Sequence, residues 1–146
     1  MVLPEFNKVG DLPAGVHQAT LDDVVKRFGA ARGRRNICTR RLLHVYALAE
    51  RTGCLQRFII FGSYVTATPD PNDVDVVLVM DDAFRLEDCP IEVRGLFDHA
   101  VAQARYGVSI FWVRLGLLFC ESIEDFVAYW QIKRDGSRRG IIEVIP

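Results

Sequence analysis

No stretch of this sequence approaches the roughly 20 consecutive apolar residues needed to cross a bilayer, although half of its 146 residues are hydrophobic. A membrane span is therefore not expected. No charge of one sign dominates either: 18 basic residues stand against 19 acidic ones, a formal net charge of −1. No overall field draws nucleic acid or an anionic membrane to the molecule. Cysteine is scarce and scattered. Cys38, Cys54, Cys89 and Cys120 form no Cys-x-x-Cys pair and have no histidine at ligand spacing, which argues against zinc and for small buried thiols in a reducing compartment. With Glu5 ahead of any apolar run, no secretory leader is expected and a cytoplasmic location is. Repeats and low-complexity segments are lacking too. Residues 1–146 are expected to form a single domain, large enough to bury a respectable core.

What the sequence does contain is concentrated between Arg57 and Met80. The run Phe58 to Phe61 is short, apolar and rich in Ile and Phe, as a buried strand is. Gly62-Ser63 follows directly. Pro69, Asp70, Pro71 and Asn72 then make a turn-forming segment in which neither helix nor central strand is expected. A second buried strand, Val74 to Met80, carries Asp73 at its entrance and Asp75 just inside. Buried acids cost several kcal/mol unless paired or metal-bound. Residues two apart on a strand share a face, with Cα atoms about 6.6 Å apart, so Asp73 and Asp75 converge on one site. Hard divalent ions such as Mg2+ take oxygen ligands and keep waters, and two carboxylates completed by substrate phosphates suit them. Gly62 allows close backbone approach to a phosphate, and Ser63 adds a hydroxyl beside free N–H groups. Either half alone also fits a blander account: solvated acids at a strand entrance, and an ordinary strand-ending turn.

Elsewhere the pattern is mostly architectural. Residues 1–19 read as an irregular arm, with Leu3, Phe6, Leu12 and Val16 holding it to the domain. Thr20 and Asp23 form a capping-box signature for a short helix that stops at Gly29. Arg32, Arg34, Arg35, Arg40 and Arg41 are either a solvated helix start or a patch facing phosphate or RNA. A helix is expected from about Arg35 to Thr52, burying Cys38, Leu42, Val45, Tyr46 and Ala49, with Gly53 closing it. Pro90 opens another that runs on through Ala104 to Gly107, leaving His99 exposed. Val108 to Val113 reads as a third strand. Ser122 and Asp125 cap a helix to about Arg134, and Gly140 to Ile145 forms a last strand, expected at a sheet edge beside Pro146. Lys133, Arg134, Arg138 and Arg139 gather near that turn, solvated or in contact with a polyphosphate or partner. The expected class is α/β or α+β, a small mixed sheet of about four strands covered by helices.

Strand, Gly62-Ser63, a short connection, then Asp73-Val74-Asp75 on a strand resembles the nucleotidyltransferase fold of the DNA polymerase β superfamily, in its minimal bacterial form. By element order the resemblance covers residues 34–115, and its specific motif is confined to 58–80. A looser likeness in residues 3–17, 71–75, 106–107, 134–136 and 140–142 is to an uncharacterised bacterial and prophage family of that fold. The resemblance implies that Gly62 and Ser63 hold the phosphates of a nucleoside triphosphate and that Asp73 and Asp75 hold Mg2+ or Mn2+. It implies a third carboxylate on a neighbouring strand. No acid occurs between His99 and Cys120, and Ser109 stands where that carboxylate would.

Two functions follow from these residues. One is a metal-dependent enzyme that transfers a nucleotidyl group to a hydroxyl on protein, RNA or a small molecule. The other is a catalytically impaired relative that binds nucleotide or a partner without turnover, as a toxin–antitoxin component or a prophage accessory would. Ser109 and Phe111 are expected to face the two aspartates, with Ile110 and Trp112 on the opposite side of the strand.

Overall fold

Alternating apolar residues and well-placed caps produce five strands and five helices in a computed structural model that describes residues 3–29, 32–118 and 122–146. In chain order they are β1 Val16–Thr20, α1 Leu21–Phe28, α2 Arg34–Glu50, β2 Leu55–Phe61, β3 Val74–Met80, α3 Ile91–Arg94, α4 His99–Tyr106, β4 Val108–Arg114, α5 Ile123–Tyr129 and β5 Ile141–Ile145. The fold is mixed α+β. One sheet runs in the order β1-β5-β2-β3-β4. β2 is antiparallel to both β3 and β5, while β1 pairs parallel with β5 and β3 with β4. A parallel neighbour requires a crossover, and α3 and α4 supply it between β3 and β4.

The period-2 alternation of the strands separates two apolar layers. Phe58, Ile60, Val76, Leu78, Ile110 and Ile142 point to one face, against Val24 and Phe28 of α1 and Leu42 and Val45 of α2. Ile59, Val77, Val79 and Ile141 point to the other, beneath Val127 of α5. Fully burying a side chain of this size contributes roughly 1.5–3 kcal/mol, so these two layers hold the sheet. At the Phe61–Asp75 end of β2 and β3 the second, thinner layer consists of the partly buried rings of Phe61 and Trp130.

Local signals hold well. Thr20 and Asp23 make both bonds of the capping box, and Ser122 accepts from the Asp125 amide. Other expectations are corrected. The 1–19 arm is irregular only up to residue 15; its end is β1, the fifth strand. Ala19 alone is buried along β1, too little alternation to mark a strand. The last strand is not at the edge: β5 lies between β1 and β2. Pro146 follows β5 and occupies no ladder position within it. The single helix expected from Pro90 to Gly107 is broken by a 3-10 turn at Gly95–Phe97 and restarted by Asp98, which caps α4 by accepting from the Val101 amide. α5 ends at Tyr129 rather than Arg134. Among the described residues no helix is long and apolar enough to cross a membrane. Cys38, Cys54 and Cys89 are free thiols; Cys120 lies outside the described residues.

Candidate functional site

Three adjoining strands set one cross-strand row: Phe61 of β2, Asp75 of β3 and Ser109 of β4 are register partners. Asp73 lies one residue before β3. The Ser109 hydroxyl donates to Asp73 Oδ2 at 3.1 Å and accepts from Gln103 Nε2 at 3.4 Å. A hydroxyl has one hydrogen, so Ser109 can satisfy only one of the two acids at a time. Burial beside Phe61, then the negative charge of Asp73, pushes the Asp75 carboxyl up to about 6, and the nearby Ser109 hydroxyl opposes the rise.

Gly62 has φ +82°, a region that disfavours L side chains. A Cβ there would overlap the Asp75 carboxylate. The space opened by the glycine is thus used first by the chain's own acid. Ser63 begins a 3-10 turn, Ser63–Val65, whose Tyr64 and Val65 are buried. The Tyr64 hydroxyl meets Thr39 Oγ1 at 2.6 Å. Arg35 fixes this loop from within. Its guanidinium donates to the carbonyls of Phe28, Tyr64, Thr66 and Thr68. Of the basic stretch, Arg35 is therefore neither solvated nor phosphate-facing; five N–H donors in a planar fork suit it to several carbonyls at once. Arg34 donates to Asn72 Oδ1 at 2.6 Å.

Gly62, Ser63, Asp73, Asp75 and Ser109 line one cavity of about 670 Å3 together with Lys133, Arg134, Asp135 and Arg139. Lys133 Nζ donates to Asp11 Oδ2 at 2.8 Å, and Arg139 lies 3.6 Å from Asp11 Oδ1. The irregular arm thus anchors two of the cavity's cations through a buried acid. A second cavity, about 430 Å3, borders Arg57, Glu124 and Glu143; those charges already pair with one another at 2.6–2.9 Å, and none of the carboxylates above lies there.

Phe111 faces the same cavity as Ser109, while Ile110 and Trp112 join the opposite layer, as the strand alternation requires. Sequence reasoning did not find His99, Gln103, Asp11 or Trp130. His99 is exposed as expected, but it lines the cavity. Its Nδ1 lies 3.2 Å from the Ile110 carbonyl, which can only accept, so Nδ1 carries the hydrogen in the neutral ring and Nε2 is left as acceptor. Asp98 was the available signal: a cap there ends the preceding turn and reorients the next residue.

A cation site can be tested against these donors. Among the described residues no group of three or more His, Cys, Asp or Glu side chains gathers as a metal cage. Asp73 and Asp75 alone fit one Mg2+ that draws its remaining ligands from water and from substrate phosphates. They do not fit a metal held entirely by protein.

Residues 4–145 match a family described only as a family of unknown function, DUF6932. The chain belongs to that family. No curated protein and no solved structure matches it.

Proposed function

We propose that this cavity binds a nucleoside triphosphate together with one divalent cation, Mg2+ or Mn2+. Asp73 and Asp75 would hold the cation, and Gly62-Ser63 with Arg134 and Arg139 the phosphates. The observation that carries this reading is convergence: two carboxylates, a glycine-serine turn and a cationic wall share one cavity. The cation would neutralise phosphate charge that the two acids alone repel.

In the activity implied by resemblance, an acceptor hydroxyl oxygen bonds to the α-phosphorus. The bond to the bridging oxygen breaks, diphosphate leaves with the electron pair, and the hydroxyl proton passes to a base. The chain's own residues would hold the phosphates in line and screen the site from water with the Phe61 and Trp130 rings. Ser109 is neutral, so it orients a carboxylate or a water but takes no proton near neutral pH. That one observation favours the second reading: binding with turnover slow or absent, as in a partner protein rather than an efficient transferase.

Thermal melting in each nucleoside triphosphate, with and without Mg2+, tests both. Ligand at about 100 times its dissociation constant adds roughly 2.7 kcal/mol, or about 5–10 °C in a domain of this size. The expected result is a joint shift larger than either component gives, absent in Asp73→Asn and Asp75→Asn. Equal shifts in all three proteins would overturn the binding site. Ser109→Asp is expected to strengthen the Mg2+ dependence and raise transfer from a labelled triphosphate to a hydroxyl acceptor. Efficient transfer by the wild type would overturn the second reading.

A further inference from the structure

One wall of the cavity is not explained by phosphate or cation chemistry. His99, Phe111 and Trp130 form a row of rings across it, with centroids 4.9 and 5.0 Å apart and planes inclined by 38° and 39°. Phe61 packs beside the last two, 4.8 Å from Trp130 and 6.0 Å from Phe111. All four line the cavity that contains Asp73 and Asp75. Phe111 is 38% exposed, whereas Ile110 beside it on β4 is 2% exposed. Phe61 and Trp130 pack against the second core layer, whereas Phe111 keeps over a third of its surface exposed in a cavity that holds two carboxylates.

We infer that this row is the subsite for the base of the bound nucleotide, and that it takes a purine. The inference rests on the binding proposed above. Val77 and Phe111 are register partners two residues along from Asp75 and Ser109, a step of about 6.6 Å on a strand. The rings and the carboxylates therefore lie within the span of a single nucleotide. Every base offers a π-face to an aromatic shelf. A purine has the larger π-face and gains more from stacking on the exposed Phe111 ring than a pyrimidine does.

Titration calorimetry of the full chain separates the two ideas, using Mg2+ with ATP, with CTP and with inorganic tripolyphosphate. Stacking of one base corresponds to roughly 5- to 150-fold in affinity. ATP is expected to bind tighter than tripolyphosphate by a factor in that range, and tighter than CTP. Phe111→Ala should bring ATP down to the tripolyphosphate value and leave tripolyphosphate unchanged, and Phe111→Tyr should restore the difference. If wild type binds tripolyphosphate as tightly as ATP, or Phe111→Ala weakens both equally, the base subsite is overturned and the phosphate-and-cation reading stands. CTP binding as tightly as ATP overturns the purine assignment. If none of the three binds with Mg2+, the proposed function falls and the subsite with it. The wild-type comparison needs no variant, so a misfolded Phe111→Ala leaves the test intact.

Discussion

Asp75 is the residue whose chemistry most depends on its surroundings. Its carboxyl titrates near 6, against 3.8 without the protein around it. Between those pH values the native state keeps a proton that the unfolded chain releases, so stability falls as pH rises from about 4 to 6 and levels off above. The gap corresponds to at most about 3 kcal/mol. Asp75→Asn removes the buried charge and its repulsion from Asp73. In chelator at pH 8 the variant is expected to melt several degrees above wild type, with the two converging at pH 4. A variant that melts lower at pH 8 would instead make the carboxylate a structural acceptor. A cation bound between the acids favours the ionised form, so Mg2+-nucleotide affinity should climb as pH passes 6.

Between β2 and β3 the connecting segment keeps its shape through Arg35 as well as through its own Thr66, which donates to the Ser63 carbonyl and accepts from the Thr68 amide. Four carbonyls converge on that guanidinium, and each charge-assisted bond contributes about 1.5 kcal/mol or more while a buried carbonyl left unmet costs about 1–3. Arg35→Ala is expected to lower stability by roughly 2–4 kcal/mol in denaturant melts and to speed amide exchange in Ser63–Val65. Arg35→Lys should recover only part of this, because an ammonium lacks the planar fork. A loss below about 0.5 kcal/mol, typical of surface positions, would rule the clamp out. Elements whose cause is local were legible in the sequence: the Thr20 and Ser122 caps, the α2 stripe, and the two apolar strands flanking Gly62-Ser63. The break before α4 was not. Val93, Leu96, Phe97, Val101 and Ala104 stay at helical spacing across it, so the periodicity conceals a stop that only the Asp98 cap reveals.

At the scale of the molecule, legibility falls with the sequence distance between partners. Gly62, Ser63, Asp73, Asp75 and Ser109 were found because they sit on the three most apolar segments, and strand alternation aims them at one face. The cavity's remaining walls come from His99 and the 130–139 turn, with Asp11 behind them, and no local pattern joins those segments. The same holds for the sheet, whose β1–β5 pairing links Val16 to Ile141. Asp11 ties the arm to the site by holding Lys133 and Arg139. Asp11→Asn should lower stability by roughly 1–3 kcal/mol and, by freeing two cations, tighten Mg2+-triphosphate binding; calorimetry showing weaker binding would mean that Asp11 orients those cations rather than competing for them. The position of β5 has a further consequence, in time. A ribosome delivers the chain from the N-terminus, so β1, β2, β3 and β4 are all made before the strand that must lie between the first two. Until Ile141–Ile145 emerge, β1 has no ladder partner and β2 presents an open apolar edge, the kind of surface that invites pairing with the wrong chain. β2, β3 and β4 can pair as they are made, but the first strand of the sheet must wait for the last before it is joined to them.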